Sequence, residues 1–505
     1  MIWAPVSAAI FNFFSHQGVH RKINCSMQND FDAVVVGSGP NGLAAAITLQ
    51  QQGLSVLLIE SKNTIGGGLR TQEITLPGFK HDVCSAIHPL AAGSPFFRSL
   101  PLHQYGLQYI SPPIAAAHPF DDGTAAFLHR DIVRTASQLG VDEKKYLALI
   151  EPLVKKWPLI DKDVLAPLSI PRHPMLLAGF GIHALKPASS IAAGFSTSKA
   201  KGLWAGMAAH AIQPFSNLSS AAIGLVLLSV AHLYNWPISK GGSQQIANAL
   251  QAYFISLGGK VQTGMHIAAL EQLPASKAVL LDVTPAQLLQ IAGYRLSGVY
   301  KWQLKRYRYG MGVFKIDWAL DAAPPFLAES CRQAGTIHIG NSYKEIAASE
   351  SETAKGKYVN KPFVLFAQQS LFDDTRAPAG KHTAWAYCHV PNGSVRDMTE
   401  AIEQQVERFA PGFRDRILAR HSFNTEQLEA YNNNYIGGDI NGGIIDIRQL
   451  FTRPALRRSP YRTSLKGLYI CSSSTPPGGG VHGMCGHHAA LRALKDIFKI
   501  KPSYI

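Results

Sequence analysis

Two glycine-rich turns, separated by more than four hundred residues, carry the chemistry that this sequence advertises. The first is Gly37-Ser38-Gly39-Pro40-Asn41-Gly42, set between the apolar run Phe31 to Val36 and an alanine-rich stretch with helical patterning. In such a strand-turn-helix unit Gly37 allows the tight turn, Gly39 lets the backbone approach a pyrophosphate, and Gly42 lets helix pack closely on strand. The helix start offers unpaired N–H groups and positive potential to phosphate oxygens. A second strand, Ser55 to Ile59, ends in Glu60, 18 residues past Gly42. A carboxylate there accepts hydrogen bonds from a ribose 2′-hydroxyl and repels a 2′-phosphate, which favours FAD or NAD over NADP.

The segment after Glu60 separates those two. Ser61 leads into Gly66-Gly67-Gly68-Leu69-Arg70, and glycines at this point let the chain run along an extended cofactor where a Cβ would collide with it. A nicotinamide dehydrogenase does not need this, so FAD is the expected cofactor. The second glycine-rich turn follows a short strand, Gly467 to Cys471, and contains Ser473, Gly478, Gly479, Gly480, Val481, His482 and Gly483 before an alanine-rich helix. Four glycines ahead of a helix lower its propensity, and backbone approach to a ligand explains them. That helix start can stabilise the negative charge that builds on the N1–C2=O edge of a reduced isoalloxazine. If the reaction needs an acid or base, the candidates are His482 and His88, each also readable as a structural histidine bonded to a backbone carbonyl.

Other chemistries are disfavoured. No cysteine pair or histidine cluster has metal-ligand spacing, so no metal is expected, and the six cysteines form neither a CxxC motif nor a secreted disulfide framework. A reducing compartment, the cytoplasm, fits this usage. The net charge of +15 reads either as a solubility feature or as a preference for an acidic partner such as an anionic membrane surface. Basic residues are scattered, without a nucleic-acid-binding motif. The best apolar run, Ala221 to Leu233, is too short to span a membrane. Residues 1–30 read as a tail that includes the apolar stretch Met1 to Phe14, with two explanations open: translation starts at Met27, or the segment is a disordered or membrane-touching tail.

Four stretches resemble the phytoene desaturase-like FAD-dependent oxidoreductases, within the flavin amine oxidase superfamily. They are Gly37 to Gly42, the run His81 to Pro89, Gly437-Gly438-Asp439-Ile440 with Arg448 to Pro454, and Leu468 to Gly486. The resemblance is to the branch that includes pyridine nucleotide-disulfide oxidoreductase domain-containing protein 2 and the desaturase-type carotenoid ketolase. It implies that Lys240 to Ser243 leads back into the cofactor domain, that Met265 to Ala268 is a strand meeting adenine through Ile267, and that Ala278 to Pro285 is the next strand and turn. Gly68 stands where the amine oxidases carry arginine, which leaves a pyrophosphate contact for Arg70 open.

The fold expected is α/β: a Rossmann-type FAD-binding domain with a parallel sheet, assembled from 31–100, 236–298 and 430–505, plus a discontinuous α+β substrate domain from 101–235 and 299–429. Ser169 to Leu233, rich in apolar and small residues, reads either as ordinary core or as helices lining a lipophilic cavity. Tyr309 to Trp318 and Phe363 to Gln369 read as strands of a sheet roofing the flavin. The function expected is a desaturase or oxidase that moves hydride from a C–H bond of an apolar, isoprenoid- or lipid-like small molecule to flavin N5, with peripheral contact to an anionic membrane. The alternatives are a flavin-dependent amine oxidase and a flavin-containing scaffold protein with little turnover. The sequence sets neither the electron acceptor nor the oligomeric state.

Overall fold

The structure is a computed structural model that describes residues 30–501; the expected tail and the alternative start at Met27 lie outside the described residues. The chain runs through β1 (Phe31–Val36), α1 (Pro40–Gln50), β2 (Val56–Ile59), β3 (Ile114–Pro119) and β4 (Ala125–Leu128). Four longer helices follow: α2 (Glu143–Val164), α3 (Pro174–Ala184), α4 (Ser198–Ala209) and α5 (Ala221–Tyr234). Next come α6 (Gln244–Ser256), β5 (Lys260–Gln262), β6 (Ser276–Leu281), β7 (Gly312–Leu320), β8 (Ala334–Ile339) and β9 (Val364–Ala367). The chain then forms β10 (His382–Val390), β11 (Ile417–Phe423), β12 (Leu468–Ile470) and α7 (Met484–Ala493).

Five strands form a parallel sheet in the order β12-β6-β1-β2-β5, so three separate stretches of chain meet in one layer. Successive residues of β1 serve opposite faces. Ala33 and Val35 join the core with α1, α6 and α7, while Val34 and Val36 join the core on the other side with Leu288, Ile291 and Tyr300. Burial on both faces is why β1 is a continuous apolar run rather than an alternating one. α7 lies so close to α1 that a Cβ on Gly486 would sit 1.7 Å from the Asn41 carbonyl oxygen. The second glycine-rich turn is thereby seated against the first.

The other sheet has seven strands in the order β11-β7-β10-β9-β8-β3-β4, antiparallel except for the β3–β8 pair. One face, including Ile316, Trp318 and Phe366, is closed by Ile402, Val406 and Phe409. In the register, Thr336, Ala367 and Trp385 form one cross-strand row, and His338, Leu365 and Tyr387 form the next row on the same face, two residues along. A buried ion pair, Arg376 Nη2 to Asp82 Oδ2 at 2.5 Å, ties the loop before β10 to the segment after β2. Asp82 also accepts from the Ser243 backbone N–H and the Thr71 hydroxyl, which fixes the start of α6.

Two expected strands differ. Met265 to Ala268 is loop, anchored by the Met265 N–H donating to the Glu60 carbonyl, because the chain has left the sheet at Gln262 and turned at Gly264. β7 begins at Gly312 rather than Tyr309, since the Gly310 N–H is taken by the Asp439 carboxylate.

Candidate active site

The two glycine-rich turns line one cavity, of about 350 Å³. Gly37, Ser38, Gly39, Pro40 and Asn41 contribute from the first, and Ser473, Gly479, Gly480 and Val481 from the second. Glu60, Ser61, Gly67, Gly68, Arg70, His88 and Ile267 line the same space.

Glu60 is the polar hub of one end. Its carboxylate accepts from the Ser38 backbone N–H at 3.0 Å and hydroxyl at 2.5 Å, from the Lys62 N–H at 2.9 Å, and from Arg70 Nη2 at 3.0 Å. Arg70, 3% exposed, also donates to the Thr64 and Gly67 carbonyls. Its guanidinium therefore braces Glu60 and the glycine loop. Gly67 presses on the first turn, where its Cβ would lie 3.0 Å from the Gly39 Cα.

α1 begins at Gly39 without a side-chain cap on its N-cap residue and without an acidic residue in its first turn, so the helix start is left to a ligand or to neighbouring groups. One such group is Asp282, at the end of β6. Its Oδ2 accepts from the Gly42 N–H at 3.0 Å, and a Cβ on Gly37 or Gly39 would meet Asp282 at 3.0 Å. Burial, reinforced by the nearby Glu60 charge, pushes the Asp282 carboxyl up to about 7 against the opposing Gly42 hydrogen bond. Asn41 carries a buried side-chain oxygen without a protein partner beside this helix start. A glycine cradle, an open helix start and a carboxylate at the end of the second strand together fit the pyrophosphate and ribose of a dinucleotide.

The other end of the cavity is apolar and aromatic. Ile223 and Leu227 of α5, Ile212, Trp236, Leu365 of β9, and Trp385 and Tyr387 of β10 line it. Trp385 and Tyr387 are stacked at 5.6 Å as second neighbours on one strand, not opposed across a gap. His210 also lines this end and pairs with His338 at 3.0 Å; burial drives both imidazoles down, His210 to about 3, so the end carries no cation from them at neutral pH.

Among the expected site residues, four stand back from the cavity lining. Gly42 packs against the Gly37 carbonyl, with a Cβ distance of 1.9 Å, and Gly66 against Ala247. Leu69 is fully buried in the core beneath α1. His482 is 1% exposed, with Nε2 donating to the Gly478 carbonyl and Nδ1 accepting from the Met484 N–H. Both ring nitrogens are spent on the turn itself, so the acid-base role expected of His482 has no geometry here. His88 does reach the cavity. The Ser243 hydroxyl donates to the Ser85 carbonyl at 2.5 Å, so it accepts from His88 Nε2, 2.8 Å away, and the lone pair lies on Nδ1, 3.4 Å from the Ser85 hydroxyl. Burial lowers this imidazole to about 4, leaving it neutral. Cys84 lines the cavity beside the Tyr435 hydroxyl, and burial raises its thiol, which argues against a thiolate nucleophile.

Asp282 and the aromatic wall were not singled out from the sequence. Asp282 had a signal: it ends the strand beside β1, as Glu60 ends the strand on the other side. Ile212, Ile223, Leu227 and Leu365 fall within stretches read as lining a cavity or roofing the flavin, whereas the aromatic members Trp236, Trp385 and Tyr387 had no signal, since they come from segments far apart in the chain.

Residues 35–100 match the NAD(P)-binding Rossmann-like domain family. The chain is 25% identical to pyridine nucleotide-disulfide oxidoreductase domain-containing protein 2 of Rattus norvegicus, covering 94% of this chain and 95% of the relative. It is 22% identical to a lycopene-forming phytoene desaturase of a Paracoccus species, covering 90% and 95%. Among solved structures, an oxidoreductase from Methanosarcina mazei superposes with a TM-score of 0.61 at 16% identity, covering 91% and 99%. Whole-length likeness in sequence and fold, and a cradle built from glycine-rich turns at both ends of the polypeptide, make the chain similar to the phytoene desaturase-like FAD-dependent oxidoreductases.

Proposed function

We propose that this protein binds FAD across the two glycine-rich turns and oxidises a C–H bond of an apolar, isoprenoid- or lipid-like small molecule. The carrying observation is the polarity of the cavity that both turns line: glycines and Glu60 at one end, Ile223, Leu227, Trp236 and Trp385 at the other. In this reading Glu60 receives the ribose hydroxyls, Ile267 faces the adenine, and the backbone from Gly37 to Asn41 receives the pyrophosphate. Ser61 and Gly68 flank the path of the cofactor, and Ser473 with Gly479 to Val481 supplies backbone to its flavin end. Bound there, the flavin supplies a hydride acceptor at N5.

The protein's own residues orient and desolvate. The apolar wall excludes water from the reacting bond, and the shape of that wall selects the substrate. His88, neutral and held by Ser243, keeps its ring lone pair on Nδ1 facing the Ser85 hydroxyl, so it takes a proton released by the oxidation only in place of that contact. The relative that acts on phytoene supports an apolar hydrocarbon substrate. An amine substrate is less well served, because Trp385 and Tyr387 do not oppose each other as a cage.

The test is anaerobic mixing of the purified, flavin-loaded protein with isoprenoids, lipids and amines. Bleaching of the visible flavin bands by an apolar hydrocarbon is the expected result. Bleaching by amines alone would overturn the substrate class, an unreducible flavin would point to the scaffold reading, and a colourless protein after gentle preparation would overturn the cofactor.

A further inference from the structure

The helix α3 inverts the usual rule for a surface helix. Its sequence, Pro-Met-Leu-Leu-Ala-Gly-Phe-Gly-Ile-His-Ala, contains no charged residue, yet only Phe180 and Ala184 are buried. Met175 is 83% exposed and Ile182 63%, and just before the helix Leu168 and Ile170 stand 73% and 96% exposed. Scattered exposed apolar residues are ordinary, but a run of them on one short segment marks a surface that meets another phase or partner. A water-facing helix of this length would place polar residues outward.

Charge identifies the partner. No aspartate or glutamate occurs between Asp163 and Glu271, while Arg172 and Lys186 flank α3 on either side, both exposed. The whole chain carries +15. An uncharged apolar helix bracketed by basic residues has the make-up of a segment that lies in a bilayer interface, with its side chains among acyl chains and its flanks among anionic headgroups. A protein interface would instead carry a polar rim around an apolar centre. At eleven residues α3 is too short to cross a bilayer, and no helix among the described residues is long and apolar enough to do so.

We infer that α3 and the segment from Leu168 leading into it dock the protein on anionic lipid membranes, with Met175 and Ile182 entering the bilayer and Arg172 and Lys186 at headgroup level. The location suits the chemistry. Phe180 and Ala184 root α3 in the same core as Leu225 and Val226 of α5, and α5 also presents Ile223 and Leu227 to the cavity. The docking face and the apolar cavity wall are thus two sides of one helical layer. The inference deepens the reading of an apolar substrate but does not depend on it, since docking is measured without turnover.

The experiment is flotation of the full-length, flavin-loaded protein with phosphatidylcholine vesicles, with and without phosphatidylglycerol, at low and high salt. The wild type is expected to float with the anionic vesicles. Met175→Glu with Ile182→Glu is expected to lower the floated fraction about tenfold or more, with melting temperature and flavin spectrum unchanged because both side chains already face solvent. Arg172→Gln with Lys186→Gln is expected to weaken binding at low salt and leave it less salt-dependent. A wild type that stays at the bottom of the gradient overturns the inference, as does undiminished flotation of the Met175/Ile182 variant. Two other outcomes also overturn it: loss of flotation in a chain beginning at Met27, which would assign the anchor to the N-terminal segment, and a wild-type dimer that those two substitutions convert to monomer. Flavin absorbance in the floated fraction is read separately, so a failed cofactor assignment and a failed docking surface give different results.

Discussion

The two ends of the cavity are built by opposite means. At the dinucleotide end the space is shaped by backbone: Gly37, Gly39 and Gly67 are in near contact with one another or with Asp282, and an added Cβ on any of them meets a neighbour at about 3.0 Å. At the substrate end it is shaped by side chains from α5, β9, β10 and the loop at Trp236. A backbone-built site tolerates almost no change in residue type but recognises a constant ligand; a wall of side chains can be recut without disturbing the fold. The same contrast explains how one architecture can serve different substrates with one cofactor.

Three substitutions sharpen this contrast or break it. The largest effect is expected from Gly42→Ala, whose Cβ would fall 1.9 Å from the Gly37 carbonyl oxygen. The turn would have to open, at a cost of about 3 kcal/mol or more, with loss of bound flavin; a thermal melt and flavin-release assay read both. A variant that kept its flavin and its melting temperature would mean that backbone does not set this end.

The second is Asp282→Asn. The folded protein holds this carboxyl at about 7, against an ordinary value of 3.8, so its folded form is the more readily protonated. Stability from this group is complete below the ordinary carboxylate range and is lost as pH rises through about 7, to a limit of roughly 4 kcal/mol. The wild type is expected to lose melting temperature between about pH 4 and pH 7, and the asparagine variant to lack that component. Parallel pH profiles for the two proteins would remove Asp282 from the account.

The smallest structural effect belongs to Ile223→Phe, a half-buried wall residue. Flavin spectrum and melting temperature should hold, while kcat/KM for an apolar substrate shifts by about tenfold to a hundredfold. Loss of flavin in this variant would show that the two ends are not independent.

Much of the dinucleotide end was legible in the sequence because its parts are local. The turn from Gly37 to Gly42, Glu60 at the end of β2, and Gly67 each declare themselves within a few residues of a strand or helix boundary. The strands β1 and β2 could be placed for the same reason, and β6 through the family resemblance. For His482 the sequence left two roles open, an acid-base group or a structural histidine bonded to a backbone carbonyl, and only geometry chose the second: its Nε2 and Nδ1 are both taken by the turn. The loop at Met265 to Ala268 was misread because adjacency to Glu60 is a tertiary relation, made by one hydrogen bond to its carbonyl.

The sequence alone determined the strand-turn-helix unit, the acidic terminus of β2 and the need for close backbone approach at both ends of the chain, since glycine spacing and apolar runs act over distances that neighbouring residues span. Only the tertiary structure decided that Asp282 closes on the first turn, that Arg70 serves Glu60, which histidine faces the cavity, and that Ile182 faces outward while Leu227 faces in. Those outcomes depend on which side of a helix is covered and which distant strand lies alongside, and no short stretch of residues contains that information.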